Sequence, residues 1–483
     1  IFLNTKVIIY LTILWLTIVN SSFIFTFTRI QLMLFLMKKI FRLIAVAILL
    51  ILIYFGFTTY PKLDLISGFS AKSMASGHFI DHRSQTLIES GDNDIPMIDL
   101  ATNKIDDKAQ WVTASVYGLK TRKAIYREGL GATLINDSYD ITAPYEVPKR
   151  NYKLTNLPFP YGDLEPKDTV FSNVDKAKLT AAINNAFDNK GEKMKRTRAV
   201  IVVYKDKIIG EKYAVGFSKK SKILGWSMTK SITSAMFGVL QKQRKIDIYK
   251  PALVPEWAND ERAKITLNDL LHMNSGLEWE ENYETICDAT QMLFQAEDMS
   301  QPQLMKPLKY KPNNHWYYSS GTTNLLSGLL RKEFKTHQEY LDFWYAGLID
   351  KIGMHSMLIE TDMAGNYVGS SYGWATTRDW AKFGLLYLHK GNWNGEQILD
   401  ESWVKYTATP TNTSDGAYGA HFWLNAGGRF PDVPKDMYFC SGFQGQMVAI
   451  IPSKDMVIVR LGLKEDPGFD FNLFLKEVLA CVK

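Results

Sequence analysis

A continuous apolar stretch near the N-terminus limits what the whole chain can fold into. Residues 43–57 carry no charge, and they follow closely on Lys38, Lys39 and Arg42. An apolar run behind a basic cluster is typical of a signal peptide or a signal anchor. No clear small-residue cleavage site follows at once, so we expect residues 1–60 to form an uncleaved membrane anchor, with export after cleavage or a buried core helix as alternatives. If the basic cluster stays in the cytoplasm, everything after residue 57 lies on the periplasmic or extracellular side.

A second apolar run, at residues 7–19, lies upstream of this segment. The chain begins with Ile1, whereas Met33 or Met37 would make a natural start just before the basic cluster. This raises the alternative that residues 1–32 are an over-extended gene start. The expected orientation in the membrane is the same in either case, because it depends only on the basic cluster.

The remaining composition is that of a large globular protein. The chain has 483 residues, of which 46% are hydrophobic, which is enough for one large core or two smaller ones. Five basic residues and no acidic ones lie in the first sixty, so the net charge of +6 leaves the rest nearly neutral and without a nucleic-acid footprint. We expect no metal or other cofactor, because the eight histidines are scattered. The three widely separated cysteines are interpreted as packing residues: Cys287, Cys440 and Cys481.

Ser227 and Lys230 form a Ser-x-x-Lys pair where strand-like sequence gives way to helix-like sequence. Residues 200–204 and 208–214 predict two strands joined by a turn, and the apolar spacing after Lys230 predicts a helix. Positions i and i+3 share a helix face, so a lysine held neutral there could take the proton of the serine hydroxyl. The start of a helix also favours the negative charge that develops during the reaction. The spacing predicts an acyl-enzyme serine hydrolase that works without histidine.

Such a site needs another proton carrier, because no histidine stands at a spacing that marks it as the general base. Tyr318 lies between a predicted turn at residues 311–314 and a predicted helix at residues 321–332. An ammonium nearby would lower the pKa of the phenol and let it relay protons. We therefore expect Tyr318 to complete the site, with a core tyrosine as the alternative interpretation.

The order of predicted elements describes an α+β fold. It is an antiparallel sheet flanked by helices from both chain ends, with a largely helical insertion. Residues 175–483 are assigned to a hydrolase domain, and residues 61–174 to an N-terminal extension and proline-marked linker. The extension has strand-like sequence at 112–117 and 123–135, and Gly129 and Gly131 break the second of these stretches. The helical patterns lie at 176–187, 265–277, 321–332, 377–389 and 471–481, and a late hairpin joins 447–451 to 456–462.

Together these elements resemble the serine β-lactamase and penicillin-binding protein superfamily, and most of all its class C-like branch with esterases and 6-aminohexanoate-dimer hydrolases. Ser227-Met228-Thr229-Lys230 resembles the first motif of the family, and Tyr318-Ser319-Ser320 resembles its Tyr-x-Asn/Ser motif. Residues 265–277 and 370–379 are similar to two structural signatures. The resemblance implies a β-lactamase/transpeptidase-like fold in which Ser320 keeps Lys230 and Tyr318 in one hydrogen-bond network.

The third motif departs from the family pattern. Many relatives carry Lys-Thr-Gly or His-x-Gly there, and the matching triplet in this chain is Phe443-Gln444-Gly445, without a cation. The missing cation argues against tight binding of substrate carboxylates, and the glycine still lets the backbone approach a substrate. By the resemblance, the N–H groups of Ser227 and Gln446 would form the oxyanion hole. A plain turn is the alternative for this stretch.

We therefore predict a serine hydrolase, an esterase or amidase, that acts on a small-molecule ester or amide outside the cytoplasmic membrane. The enzymatic alternatives are a D-alanyl-D-alanine peptidase and a true β-lactamase, and the non-enzymatic one is a wall- or ligand-binding module on the same fold. Three residues of the insertion are candidate substrate contacts, although a solvated helix face is the stronger interpretation for them: Glu281, Tyr283 and Asp288.

Overall fold

The chain forms two compact units, Ile1–Leu63 and Asp64–Lys483. The computed structural model describes residues 5–483 except 153–154, 163, 168, 190, 253 and 465–466, so the first four residues of the predicted anchor lie outside the described residues. Helix α1 (Thr5–Thr58) has 54 residues and no buried side chain. With a mean hydropathy of 2.6 in its most apolar window, it is long and apolar enough to cross a membrane. A bilayer core takes about 20 helical residues, so only part of α1 could span it.

Most of helix α2 belongs to the second unit, which continues with a small sheet. The sheet is antiparallel, and its four strands are neighbours in chain order. The stretch at 123–135 is broken where Gly129 and Gly131 were expected to break it, because these residues turn the chain between β3 and β4 with φ angles of 81° and 76°. The elements are α2 (Tyr60–Phe79), α3 (Gln85–Glu89), β1 (Ala101–Asp106), β2 (Trp111–Val116), β3 (Leu119–Arg127) and β4 (Gly131–Ile135).

The rest of the unit holds ten helices and eleven strands within the described residues. The helices are α4 (Lys176–Asn185), α5 (Thr229–Lys242), α6 (Leu267–Leu271), α7 (Asp288–Gln295), α8 (Gln301–Leu304), α9 (Ser320–Lys332), α10 (His337–Trp344), α11 (Thr377–Leu388), α12 (Glu401–Thr407) and α13 (Phe471–Leu479). The strands are β5 (Thr197–Tyr204), β6 (Lys207–Tyr213), β7 (Ile223–Leu224), β8 (Leu358–Ile359), β9 (Gly373–Ala375), β10 (Asn392–Trp393), β11 (Glu396–Gln397), β12 (Trp423–Leu424), β13 (Tyr438–Gly442), β14 (Gln446–Ile451) and β15 (Met456–Gly462).

A six-stranded antiparallel sheet organises this part of the unit, in the order β12-β13-β14-β15-β5-β6. Every residue of β5 is buried, and its side chains alternate between two cores. Val200 and Val202 join the core under α4 and α13, whereas Ile201 and Val203 join the larger core that includes α5, α9 and α11. The sheet is thus covered by helices from both chain ends, and the predicted α+β fold is confirmed.

One buried carboxylate ties the small sheet and α2 to the rest of the unit. Glu360 is fully buried and pairs with Lys72 of α2 at 2.6 Å. Its other contacts are hydrogen bonds of 2.8 Å each, from the Ser76 hydroxyl, from the Ala132 N–H of β4 and from the Trp374 indole of β9. Residues of the N-terminal extension and of the predicted hydrolase domain therefore share one polar centre, and a buried charge satisfied in this way is costly to disturb.

Candidate active site

Ser227 lies in a tight turn between β7 and α5. The turn is the 3₁₀ segment Trp226–Met228, and α5 starts at the next residue. Gly225 is required before it, because a Cβ there would lie 2.3 Å from the ring of Trp380. A Cβ on Gly442, at the end of β13, would lie 2.1 Å from the Gly225 carbonyl oxygen. The close approach of two glycines therefore brings the end of β13 against the turn that carries the serine.

Lys230 lies one helical turn after Ser227 and is almost fully buried. Its Nζ lies 3.0 Å from the Ser227 Oγ, 2.9 Å from the Ser320 Oγ and 2.8 Å from the Ser370 carbonyl oxygen. Burial lowers the pKa of the Lys230 ammonium to about 8, and the Glu281 carboxylate opposes this shift. A substantial fraction of Lys230 is therefore neutral near pH 8, and a neutral amine at this distance can accept a proton from the serine.

Tyr318 forms one wall of the site. The Lys230 Nζ lies 4.9 Å from the centre of its ring, and the ring packs on Trp423 with centroids 5.3 Å apart. Burial raises the pKa of Tyr318, the Glu281 carboxylate raises it further, and a hydrogen bond with the Ser227 side chain opposes both. The expectation of a lowered pKa was wrong, because burial and the Glu281 carboxylate both favour the neutral phenol. Tyr318 is a protonated phenol, suited to donating a proton.

Glu281 lies close to Lys230 through Ser320, and the sequence interpretation gave this residue too little weight. Its carboxylate accepts hydrogen bonds from the Ser320 N–H and hydroxyl, both at 2.6 Å, and from the Trp279 indole and the Tyr283 hydroxyl, both at 2.8 Å. Ser320 therefore links Lys230 to Glu281 and Tyr283. The sequence did contain a sign of this arrangement, because Glu281 stands between Trp279 and Tyr283, shortly after the 265–277 signature.

The expected helix face at this part of the insertion is wrong for Glu281 and Tyr283. Residues 280–287 form a loop, and the helix starts only at Asp288. The Asp288 carboxylate accepts from the Glu280 N–H at 3.0 Å and pairs with Lys306 at 2.7 Å. Asp288 thus stabilises the start of α7 and lies apart from Ser227 and Lys230. Glu281 and Tyr283, by contrast, are linked to Lys230 through Ser320.

The third motif forms a tight turn that presents Phe443 to the site. Gln444 and Gly445 both have left-handed φ angles, of 62° and 75°. The Phe443 ring packs edge-on against Trp226, with centroids 5.6 Å apart, and lies 6.0 Å from Tyr283. The Phe443-Gln444-Gly445 triplet therefore places an aromatic ring, and not a cation, against Trp226 and Tyr283.

The side chain of Arg460 contacts the backbone of that turn. The sequence interpretation missed Arg460 because it stands within the apolar sequence of β15. Its buried guanidinium donates to the carbonyl oxygens of Gln444 at 3.1 Å and Gly445 at 2.7 Å, and burial lowers its pKa to about 9. The Gln446 side chain is held by Gly462, accepting from its N–H at 3.0 Å and donating to its carbonyl at 2.5 Å. The Arg460 contacts fix the turn at residues 444–445, and the Gly462 contacts fix Gln446, the first residue of β14, which pairs with Gly442.

A cationic side chain does lie near Tyr318, but it comes from a different segment than the third motif. The guanidinium carbon of Arg429, in the loop between β12 and β13, lies 5.3 Å from the Trp423 ring, which in turn packs on Tyr318. Burial lowers the pKa of the Arg429 guanidinium, and no carboxylate contributes to that shift within the described part of the chain. As for metals, no three His, Cys, Asp or Glu side chains converge on a potential ion site among the residues that the structure describes.

The chain belongs to the Beta-lactamase family, whose model matches residues 183–474. Three solved structures share the fold. A Bacillus anthracis protein designated a candidate 6-aminohexanoate-dimer hydrolase is 21% identical, with a TM-score of 0.52 over 62% of this chain and 80% of that one. A family VIII carboxylesterase is 14% identical, with a TM-score of 0.51 over 66% and 100%. A class C β-lactamase is also 14% identical, with a TM-score of 0.50 over 65% and 99%. No curated protein matches the chain significantly.

Proposed function

We propose that this protein is a serine hydrolase that cleaves an ester or amide bond through an acyl-enzyme on Ser227. The observation that carries the proposal is the 3.0 Å contact between the Ser227 Oγ and the buried Lys230 Nζ, whose pKa is lowered to about 8. A lysine of that pKa can serve as a base near neutral pH, whereas an ordinary lysine cannot.

The proposed reaction has two halves. Neutral Lys230 takes the proton of Ser227 as the oxygen attacks the substrate carbonyl, and the N–H groups of Ser227 and Gln446 stabilise the oxyanion, each worth roughly 3–4 kcal/mol. Tyr318, kept as a phenol, donates its proton to the leaving group and regains one from protonated Lys230. Water then attacks the acyl-enzyme, losing its proton to the same Lys230–Tyr318 pair, and Ser227 leaves with a proton. Ser320 and Glu281 hold Lys230 in position throughout.

For substrate class, we propose a neutral ester or amide. Phe443, Trp226 and Tyr283 form an apolar wall where a carboxylate-binding cation would otherwise stand. A second candidate, hydrolysis of a carboxylate-bearing peptide or β-lactam, is favoured by one observation: the Arg429 guanidinium on Trp423. Arginine is well suited to bidentate carboxylate recognition.

Active-site labelling tests the proposed chemistry. The full chain in detergent is treated with a fluorophosphonate and, separately, with penicillin, and adducts are located by mass spectrometry. We expect a fluorophosphonate adduct on Ser227 that is absent in Ser227→Ala. Penicillin acylation of Ser227 would instead support the second candidate. Absence of any adduct would contradict both and leave a non-catalytic binding module on the same fold.

For location, we propose that α1 anchors the chain in the cytoplasmic membrane with the catalytic unit on the outer side. Its support is the apolar segment at residues 43–57 behind Lys38, Lys39 and Arg42. In cells whose outer envelope layers have been permeabilised, added protease should cleave the catalytic unit. Alkaline extraction should leave the chain in the membrane fraction. Release of the chain by alkali would contradict anchoring.

A further inference from the structure

Four large apolar side chains are exposed at one end of the small sheet. They are Met97, Leu100, Tyr117 and Leu119, with 41%, 42%, 78% and 47% of their surface accessible. Leu100 lies near Tyr117 and Leu119 because β1 pairs with β2 in a register that sets Ala101 opposite Val116, and Met97 directly precedes the 3₁₀ turn that ends at Leu100. Leu100 therefore precedes the strand end next to the β2–β3 hairpin tip, which carries Tyr117 and Leu119. We call these four residues the apolar rim.

The tip of this hairpin has an unfavourable residue at its turn. Tyr117 and Gly118 both have left-handed φ angles, of 52° and 75°, as a two-residue turn with φ above zero at both positions requires. Asn, Asp or Gly is the usual choice at the first position, and a bulky aromatic residue there is strained. The chain thus holds an aromatic ring in solvent at a strained position, which the packing of the hairpin does not require.

Contacts along α2 establish which end of the sheet the rim occupies. Near the start of α2, Asp64 pairs with Arg122 of β3 at 2.8 Å. In its middle, the Ser70 hydroxyl donates to the Asn103 side chain of β1 at 3.0 Å. At its end, His78 lies 2.7 Å from Asp107, in the turn after β1. Arg122 and Asn103 lie at one level of the sheet, because both pair with Ala114, whereas Asp107 follows the opposite end of β1. The β2–β3 tip is therefore nearer the part of α2 that holds Asp64 and Ser70 than the end that holds His78.

The covalent chain limits how far that end can be from a membrane. Asp64 is six residues after Thr58, the last residue of α1, and six residues reach at most about 20 Å even when fully extended. If the apolar segment at 43–57 lies in a bilayer, Asp64 can be at most about 20 Å from the point where α1 ends. Within the second unit, the rim is nearer to Asp64 than the turn at Asp107 is.

The side chains beside the rim suit a lipid surface. Lys120 and Lys123 follow the tip on β3, and Lys123 also lies 4.1 Å from the ring of Trp111. Tyrosine and leucine next to lysines are typical of segments that rest at the boundary of headgroups and acyl chains. Lysines near an anionic membrane surface add roughly 1 kcal/mol each to binding.

We propose that the apolar rim rests on the surface of the membrane that holds α1, with Tyr117 and Leu119 among the lipid headgroups and Lys120 and Lys123 beside lipid phosphates. This contact makes the sheet a second attachment and fixes the orientation of the catalytic unit relative to the bilayer. It rests on the proposed anchoring by α1 and goes beyond it, since a single helix followed by a free unit would leave the rim in water.

Spin labelling of the full chain in nanodiscs tests this contact. The native cysteines are all buried, so a nitroxide can be placed selectively on Tyr117→Cys. Val215→Cys is the matched control, because Val215 is fully exposed and Gly216 beside it faces Leu87 of α3, which follows the far end of α2. In discs with anionic phosphatidylglycerol we expect the label at 117 to gain access to oxygen and lose access to a water-soluble nickel chelate. The label at 215 should remain accessible to the chelate.

An equal, aqueous response from the two sites would overturn the contact. A third label, on Ile48→Cys in α1, separates the two levels of failure. If the label at 48 lies in lipid while the label at 117 is aqueous, the rim contact alone is wrong; if both are aqueous, anchoring is wrong as well. A label at 117 that enters lipid only when phosphatidylglycerol is present would further support recognition of anionic headgroups.

Discussion

Replacing Glu281 by glutamine should change the pH at which the enzyme becomes active. Only the neutral form of Lys230 can accept the serine proton, so kcat/KM should rise as the pH rises through about 8, the lowered pKa of this group. The Glu281 carboxylate favours the charged ammonium and thus opposes the lowering. Without that charge the amine should lose its proton more easily, and the rise in kcat/KM should move to lower pH.

The structure sets the size of this effect. Two hydrogen bonds through Ser320, of 2.9 and 2.6 Å, hold the Lys230 Nζ within about 5.5 Å of a Glu281 oxygen. At an effective dielectric constant of about 20, unit charges at that distance interact by about 3 kcal/mol. Because 1.36 kcal/mol corresponds to one pKa unit, the upper limit is about two units, and screening by solvent reduces it. We expect the midpoint of the pH profile to fall by about one to two units.

The assay is kcat/KM for a neutral chromogenic ester between pH 5 and pH 10, roughly the range over which the lysine titrates. Asp288→Asn is the matched control, because it removes a carboxylate of the same insertion that pairs with Lys306. Its profile should coincide with that of the unmodified chain. A midpoint that stays in place in Glu281→Gln, or moves to higher pH, would refute the assignment of Lys230 as the base tuned by Glu281.

Three further outcomes are expected. Glu360→Gln should lower the free energy of unfolding by about 3–5 kcal/mol in urea titrations, because it leaves Lys72 buried without its counter-charge. Adding Lys72→Met should recover much of that loss. An unchanged midpoint of unfolding in Glu360→Gln would contradict the role of the pair. Gly225→Ala should abolish fluorophosphonate labelling, because its Cβ would lie 2.3 Å from the Trp380 ring; a normal labelling rate would show that the turn can move. If the second candidate function holds, Arg429→Gln should reduce kcat/KM for a carboxylate-bearing ester relative to kcat/KM for its methyl ester. An unchanged ratio of these two values would favour the neutral substrate class.

The elements that could be predicted from the sequence are those with a strong local pattern. β5 and the β14–β15 hairpin are apolar runs separated by turn residues, and the structure pairs Met456 with Tyr204 and Met447 with Arg460 in one sheet. The start of α6 was marked by Thr266, whose side chain forms a capping box with Asp269. Ser227 and Lys230 were recognisable together because their spacing is set by the helix itself.

The residues that sequence reasoning missed depend on packing between distant segments. α2 contains glycine and serine, which are weak helix formers, and it buries small residues such as Ala71 and Ala75 instead of a broad apolar stripe. The role of Glu281 depends on a loop that folds back onto Ser320, and no periodic pattern encodes such a loop. The raised pKa of Tyr318 likewise follows from burial, which a sequence does not display.

The four groups that meet at Glu360 have a practical consequence for anyone who wishes to express a soluble form of this enzyme. Cutting the chain at the start of the family match would remove Lys72, Ser76 and Ala132, and would expose Glu360 and the Trp374 indole to water. The smallest autonomous fragment should therefore begin near Asp64, within α2, although the family match begins more than a hundred residues later. A fragment trimmed to the family match would thus lack part of the compact unit that contains Ser227.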